Sequence, residues 1–236
     1  MKNTNLILAM AIAILTSCSS AIKPIHTTKY DSYKEMYEEK PLTVLIMPPI
    51  NRSTYIDAKE YFHSTLYTPI VNAGYYVIPP FLSMEILKKE SAYDAELFLN
   101  TPLKKFEEVF GADMVLFTII HSWDKSSLDA MVVVDVEYVF KSTKTNEVVF
   151  TRRGEINYDA SVSTKAGGVF GFVADMTLSA LNTATIKYIN VARSCNYYVF
   201  KDLPAGKYSP NFDIDRTSPS GLKEFSVTLN SKEEEF

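Results

Sequence analysis

Cys18 is the residue whose sequence context most clearly specifies a chemistry. Residues 1–5 are polar and carry one positive charge at Lys2, and residues 6–15 form an unbroken apolar run. Such a run is too short to span a bilayer, which takes roughly 20 apolar residues, but it suits the hydrophobic region of a signal peptide. Small residues precede Cys18, whose thiol is a nucleophile that can accept a lipid. The sequence predicts cleavage after residue 17 and lipidation of Cys18.

A second group of reactive side chains, His121-Ser122-Trp123-Asp124, follows an apolar run at 113–120. A hydrolytic site needs a base within hydrogen-bond reach of a nucleophile, and this group offers an imidazole, a hydroxyl and a carboxylate. Consecutive residues rarely converge on one point, however, and the chain has no Gly-x-Ser-x-Gly elbow. We therefore predict that the protein is not an enzyme. A ligand-binding or hydrolytic domain that uses the loop after the 113–120 strand is the alternative.

The sequence predicts neither a cofactor nor a metal. Its first two predicted strands end in Pro48-Pro49 and Pro79-Pro80, and proline has no N–H to offer a phosphate. No Gly-Lys-Ser/Thr motif, His-x-x-x-His pair or Cys-x-x-Cys pair occurs. The segment 211–215 places oxygen ligands at alternate positions, but it lacks the glycine and the distal glutamate of a calcium loop. We interpret its carboxylates as solvated.

The composition limits the classes of binding partner and the possible sources of the protein's stability. The formal net charge of −4 includes no basic excess, so nucleic acid is not a predicted partner. Removal of residues 1–17 leaves 219 of the 236 residues, enough for one sizeable domain. The two cysteines are Cys18 and Cys195, so a lipidated chain has no internal disulfide. We predict that Cys195 is a small buried side chain.

The patterns along the chain predict an α/β (or α+β) fold with a mixed sheet flanked by helices. Continuous apolar runs typical of buried strands occur at 43–47, 75–78 and 113–120. Helical periodicity occurs between them, at 57–72, 81–90 and 102–110. Helical crossovers between buried strands favour parallel pairing.

The second half of the chain changes character. Alternating apolar residues at 130–140 and 147–158, joined by a short polar turn, predict an antiparallel hairpin with one wetter face. A glycine-rich segment at 166–174 leads into a predicted helix that extends to 191. Its small and apolar residues could contact a membrane surface or a partner helix, or simply begin a core helix. The candidate interaction residues are Gly167, Gly168, Phe170, Gly171 and Phe172.

These features divide the chain into four parts. Residues 1–17 are the signal peptide, and residues 18–40 are the lipidated cysteine and a tether whose tyrosine-rich end could form a short helix. Residues 41–210 are the α/β domain. Residues 211–236 form a C-terminal extension with a last strand near 223–229 and an acidic tail.

Several blocks of the sequence resemble a bacterial outer-membrane lipoprotein family typified by a meningococcal vaccine-candidate antigen. The blocks stand in the family's order over most of residues 41–210. We call them the family blocks: Thr43-Val-Leu-Ile-Met-Pro-Pro-Ile-Asn-Arg-Ser53, Ala73-Gly-Tyr-Tyr-Val-Ile-Pro79, Phe110-Gly-Ala-Asp113, Ala166-Gly-Gly168 and Leu203-Pro-Ala-Gly-Lys-Tyr-Ser-Pro210.

The resemblance implies a fold similar to the N-terminal domain of TolB and an accessory or structural role in envelope transport or assembly. It supplies no catalytic residue. Implied partners are the membrane, through the lipid on Cys18, and other envelope lipoproteins, including a CsgG-like channel subunit or further copies of this chain. Neither Ser19 nor Ser20 is the aspartate that retains many lipoproteins in the inner membrane. We therefore expect a lipid anchor in the outer membrane. No acidic run follows Cys18, so we expect the domain to face the periplasm.

Overall fold

The computed structural model describes residues 27–125, 131–159 and 188–230. In these ranges the α-helices are α1 (Lys29–Ser32), α2 (Lys34–Glu39), α3 (Ala58–Asn72), α4 (Pro80–Lys89), α5 (Lys104–Phe110) and α6 (Tyr188–Phe200). The strands are β1 (Thr43–Ile46), β2 (Ile50–Asn51), β3 (Tyr76–Val77), β4 (Met114–Lys125), β5 (Met131–Ser142), β6 (Val148–Asp159) and β7 (Glu224–Asn230). Two short 3-10 helices occupy Ala95–Phe98 and Asp215–Thr217.

All seven strands belong to one mixed sheet with the order β3-β1-β4-β5-β6-β7, and β2 pairs with β4 beyond the end of β1. The pairs β1–β3, β1–β4 and β2–β4 are parallel. The pairs β4–β5 and β5–β6 are antiparallel, and β6–β7 is parallel again. The predicted fold class, parallel buried strands plus an antiparallel hairpin flanked by helices, is confirmed.

Two apolar layers cover the sheet unequally. The larger layer packs α3 and α6 on one face along the whole sheet, from β1 to β7. The smaller layer packs α4, the 3-10 helix Ala95–Phe98 and α5 on the other face, against β1, the first part of β4 and the end of β5. The second face of the β4–β7 half therefore has no covering helix among the described residues. Along β5 and β6, buried side chains of the larger core alternate with more exposed side chains of this second face, as the sequence pattern of the hairpin predicted.

The N-terminal boundary of the domain differs from the predicted one. Residues 28–40, which the sequence assigns to the tether, form α1 and α2 and contribute Tyr33, Met36 and Tyr37 to the larger core. The Tyr33 ring packs on Phe150 of β6, with ring centroids 4.8 Å apart. This corrects the start of the folded part, because aromatic side chains that bury this fully belong to the domain. At the other terminus, the last strand predicted near 223–229 is confirmed as β7.

Two further elements extend past their predicted ends. Strand β4 continues through Lys125, because β5 pairs with it along its whole length, so residues 121–124 are part of a strand and not of a loop. Helix α6 runs to Phe200, nine residues beyond the predicted end at 191, because Val191, Cys195 and Val199 repeat at helical spacing and are buried. No helix in the described ranges is long and apolar enough to cross a membrane.

Candidate interaction site

An aromatic cluster closes one end of the sheet. The ring of Trp123, on β4, stacks on Tyr55 at 5.3 Å and meets Tyr188, the first residue of α6, edge-on at 6.2 Å. The ammonium of Lys125 lies 3.7 Å from the Tyr55 ring centroid and 4.0 Å from that of Tyr188. We call Tyr55, Trp123, Lys125 and Tyr188 the aromatic end. Burial is the first cause that raises the pKa of Tyr55 well above its usual range.

The aromatic end lies where several chain segments leave the described structure. Residues 126–130 join Lys125 to Met131, and residues 160–187 join Asp159 to Tyr188. Trp123 is 3% exposed, and its indole N–H meets no acceptor within the described residues. A buried indole N–H normally has a partner. The indole N–H of Trp123 is therefore a buried donor without an acceptor among the described residues.

The predicted reactive group is divided between the two faces of the sheet. The strand register shifts between Ile120 and Ser122, which makes His121 the extra residue of a β-bulge. Its Nε2 lies 2.9 Å from Glu137 Oε2 on β5, while Trp123 points into the larger core. The described contacts therefore pair His121 with a carboxylate of the neighbouring strand and not with Ser122. The loop that the alternative function requires is not formed by residues 121–125.

The uncovered face of the β4–β7 half carries a strong negative charge. We call it the acidic face, and its charged side chains are Asp124, Asp135, Glu137, Glu155, Asp159, Glu224 and Arg153. Six carboxylates and one guanidinium give it a formal charge of −5, so the other residues of a chain whose net charge is −4 together carry +1. Arg153 is itself held by two bonds to Asp135, at 3.1 and 2.7 Å. The acidity of the chain is thus concentrated on one open surface.

The predicted loop carboxylates at 211–215 are neutralised by protein cations. Asp213 pairs with Arg216 at 2.5 Å, and hydrogen bonding from Arg216 holds its pKa below its usual range. Asp215 accepts bonds from Lys29 at 3.3 Å and from the Ala205 N–H at 2.9 Å. The prediction of solvated carboxylates agrees with Asp213, whose side chain is 39% exposed, and is wrong for Asp215, whose side chain is 12% exposed and joins α1 to the C-terminal loop.

A cleft of about 310 Å³ lies beside Pro48-Pro49, which follow the end of β1. Lys59 and Lys88 lie 4.4 and 5.8 Å from the centroid of the Tyr93 ring, which lines the cleft with them. Burial, followed by the charge of Lys59, lowers the pKa of His63 at the same place. These groups form a polar cleft with two cations on one aromatic ring.

Four of the five family blocks lie within the described residues, and they contact one another in pairs. The Gly206 N–H donates to Ala73 O at 2.7 Å and the Tyr208 N–H to Gly74 O at 2.9 Å, so two blocks far apart in sequence pair directly. In the same way, the Asp113 carboxylate accepts from the N–H groups of Leu42 and Thr43, at 3.0 Å each, which connects the third block to the start of the first. These contacts give four of the five blocks a structural role, while Ala166-Gly-Gly168 lies outside the described residues.

Cys195 lies on α6 and is fully buried, as the sequence predicted. Burial raises the pKa of its thiol well above the usual range. Cys18 and the predicted interaction residues Gly167, Gly168, Phe170, Gly171 and Phe172 lie outside the described residues. The aromatic end and the buried Arg152 were not predicted, although Trp123, the only tryptophan of the chain, was the one available marker of this region.

The fold and these surfaces define a helix-flanked α/β domain whose distinctive chemistry lies on an open acidic sheet face and an aromatic end. A model of the family described as "Putative lipoprotein GNA1162-like" matches residues 30–204. The chain therefore belongs to the GNA1162-like lipoprotein family, and the resemblance of the family blocks is confirmed.

The relatives and solved structures that resemble the chain share less than a quarter of its residues over the matched regions. The putative lipoprotein NMB1124/NMB1162 of Neisseria meningitidis serogroup B (strain ATCC BAA-335 / MC58) is 23% identical over 194 residues, which are 81% of this chain and 88% of the relative. The crystal structure of lipoprotein GNA1162 from Neisseria meningitidis has a TM-score of 0.47 and 20% identity, over 60% of this chain and 98% of that one. The LpoB C-terminal domain from Salmonella enterica has a TM-score of 0.38 and 12% identity, over 55% and 98%.

Proposed function

We propose that this protein is a lipid-anchored subunit of the outer membrane that faces the periplasm and acts by docking on other envelope proteins. The acidic face is the observation that carries the proposal. A sheet face with a formal charge of −5 that no described helix covers is a surface that a basic protein face would complement. The partners we expect are other envelope lipoproteins, among them a CsgG-like channel subunit.

A non-enzymatic role is supported by how the ionisable groups are used. His121 is paired with Glu137, and Asp215 is paired with Lys29. The buried Tyr33 hydroxyl donates to Asp202. Each of these potential acids or bases connects two elements of the fold, which is a structural use. We therefore propose a non-enzymatic subunit.

The lipid anchor and the glycine-rich segment complete the proposal. Lipidation of Cys18 holds the domain beside the membrane, and the serines at 19 and 20 favour the outer membrane over the inner one. The chain enters and leaves the region of Gly167 to Phe172 at Asp159 and Tyr188. We propose that this region contacts the membrane surface or a partner from the aromatic end.

Charge reversal on the acidic face tests the docking surface. Asp124 and Glu155 are exposed and lie on different strands, so Asp124→Lys combined with Glu155→Lys reduces the negative formal charge of the face from −5 to −1 without disturbing the core. The matched control is Glu85→Lys with Glu108→Lys, two exposed positions on α4 and α5 that give the same change in formal charge. Each variant is extracted in mild detergent, and the proteins that co-purify with it are compared with those of the unchanged chain.

We expect the acidic-face variant to lose the co-purifying partner by at least about tenfold, since like charges across an interface cost several kcal/mol. The control variant should retain it. Equal loss from both variants would show that net charge, and not this face, governs association. A strictly monomeric protein with no envelope partner would contradict the proposal itself.

A further inference from the structure

The cleft beside Pro48 and Pro49 lies at a position where open α/β sheets bind ligands. We call it the lysine cleft, because Lys59 of α3 and Lys88 of α4 line it together. The two helices pack on opposite faces of the sheet, so the cleft that they share lies outside the sheet, beside the two prolines that follow β1. The crevice outside the carboxyl ends of parallel strands is the usual ligand position in such sheets.

The two ammonium groups of the lysine cleft have no carboxylate partner among the described residues. Neither Lys59 nor Lys88 forms an ion pair there, although Glu60 lines the same cleft. Both ammonium groups instead lie near the ring of Tyr93, at 4.4 and 5.8 Å from its centroid. A ring compensates a cation only weakly, and two like charges beside one ring repel each other. An anion that reached both ammonium groups would remove this repulsion.

His63 adds a polar group to the same cleft. Its side chain lines the cleft, and its buried Nε2 has no hydrogen-bond partner in the part of the chain that the structure describes. Burial, followed by the charge of Lys59, holds the pKa of His63 below its usual range, so the ring is neutral at pH 7. In the tautomer with the proton on Nε2, the ring is a neutral donor. Since an unpaired buried polar group is unfavourable, an acceptor on a ligand would stabilise it.

The charges and donors of the lysine cleft match a phosphate group. A phosphate monoester carries a charge of about −1.5 to −2 at pH 7, which suits two ammonium groups, whereas a carboxylate supplies one charge. Lysine binds phosphate as a compact point charge. Pro48 and Pro49 have no N–H, so the backbone cradle of nucleotide-binding loops is missing on this side and the donors are side chains. The cleft therefore suits a single phosphate group and not the phosphate chain of a nucleotide.

We propose that the lysine cleft binds a phosphate group through the ammonium groups of Lys59 and Lys88 and a hydrogen bond from His63 Nε2. The phosphate group belongs either to a small soluble molecule or to the headgroup of a membrane lipid, and these two sources share the same chemistry. The proposal goes beyond the docking role and uses none of the residues of the acidic face. Its test and the test of the docking surface can therefore fail independently.

Nuclear magnetic resonance of the histidine rings tests the site in the full mature chain, purified in an uncharged detergent. The chain has three histidines, so the ring spectrum is simple, and the variant His63→Gln identifies the His63 signal. Inorganic phosphate is titrated at constant ionic strength against chloride. The ring of His121, which pairs with Glu137 on the acidic face, is the internal control.

The variants separate the lysine cleft from a general effect of charge. Lys59→Gln combined with Lys88→Gln removes both cations of the cleft, and Lys88→Gln alone, at an exposed position, serves if the double variant does not fold. The matched control is Lys89→Gln with Lys207→Gln, two exposed lysines outside the cleft that give the same change in formal charge. Glu60→Gln removes the one carboxylate that lines the cleft within the described residues.

We expect a saturable shift of the His63 signal with phosphate and little shift of the His121 signal. The dissociation constant should rise at least about tenfold for the double cleft variant, since each charge-assisted contact contributes a factor of this order, and less than about twofold for the control. Glu60→Gln should lower the dissociation constant, because it removes a negative charge beside the anion. A role of Lys59 and Lys88 confined to packing on Tyr93 would produce neither change.

A second titration distinguishes the two sources of phosphate. Detergent micelles that contain phosphatidic acid are compared with micelles that contain diacylglycerol, which lacks the phosphate group. A His63 shift with phosphatidic acid and not with diacylglycerol assigns the site to a lipid headgroup, and a shift with inorganic phosphate alone assigns it to a soluble ligand. The proposal is overturned if neither phosphate probe shifts the His63 signal. It is also overturned if the cleft variant and the control variant respond equally, because the shift would then be a general ionic effect.

Discussion

Arg152→Ala is expected to lower the free energy of unfolding by about 3–5 kcal/mol, the cost typical of breaking a buried charge network. Arg152 is 4% exposed, and its guanidinium lies 4.7 Å from the Phe225 ring centroid. It donates to Val199 O and to Leu222 O, both at 3.0 Å, and lies 4.0 Å from the Asp202 carboxylate. Removal of the cation would take the guanidinium donor from Leu222 O and one of two donors from Val199 O, which keeps the Asp202 N–H at 3.2 Å, and would leave Asp202 buried without the guanidinium beside it.

The adjacent Arg153 provides the matched control. It lies on the same strand, but its side chain is 49% exposed and pairs with Asp135 on the open face. Exposed ion pairs contribute about 0–1 kcal/mol, so Arg153→Ala should cost no more than that. Urea unfolding of the unacylated chain from residue 19 onward measures both variants. Unfolding free energies that fall equally for Arg152→Ala and Arg153→Ala would refute the assignment of Arg152 as the ion that joins β6, α6 and the C-terminal loop.

Three further predictions concern the family blocks and the core. Gly74→Ala should lower the free energy of unfolding by at least about 1–3 kcal/mol, because Gly74 has φ +95° and an added Cβ would lie 2.4 Å from Ser209 N. The control Gly111→Ala should lower it less, since an added Cβ there meets no atom within 4 Å. A larger loss for Gly111→Ala in urea unfolding would contradict this. Burial raises the pKa of Asp113, but hydrogen bonds from Leu42, Thr43 and Lys144 outweigh burial and lower the pKa overall. Ionised Asp113 therefore stabilises the fold fully above the unfolded pKa of about 4, and this contribution is lost as the pH falls through the lower folded pKa. Unfolding at pH 7 and pH 3 should therefore show a cost for Asp113→Asn of about 1–2 kcal/mol that shrinks at the lower pH, and a cost that grows would reverse the assignment. The thiol of Cys195 should react with a maleimide only after unfolding, since it is fully buried, and rapid labelling of the folded chain would place it elsewhere.

The sequence predicted those parts of the fold that local periodicity determines. Apolar runs located β1 and the start of β4, and alternation located β5 and β6, because burial on both faces or on one face leaves a direct trace in residue type. The length of β4 was underestimated because Ser122 and Asp124 are polar. Their polarity reflects an uncovered sheet face and not a loop.

The parts that could not be predicted depend on contacts between distant residues. Tyr33 was assigned to a tether because the sequence around it does not indicate that Phe150 and Asp202 are its partners. The aromatic end needs β4, α6 and the segment before α3 to meet, and the acidic face becomes visible only when the strand register aligns Asp135 with Glu155. Charge segregation is a property of the folded surface and not of the composition.

Photo-cross-linking in intact cells tests most directly whether the acidic face is the docking surface of an envelope subunit. A photoreactive amino acid replaces Glu155 on the acidic face or, as the control, Glu85 on α4, both of which are exposed. We predict a discrete envelope-protein adduct from position 155 that disappears when Asp124→Lys is added, and no such adduct from position 85. An adduct that forms only from position 85, or one from position 155 that survives Asp124→Lys, would contradict the account.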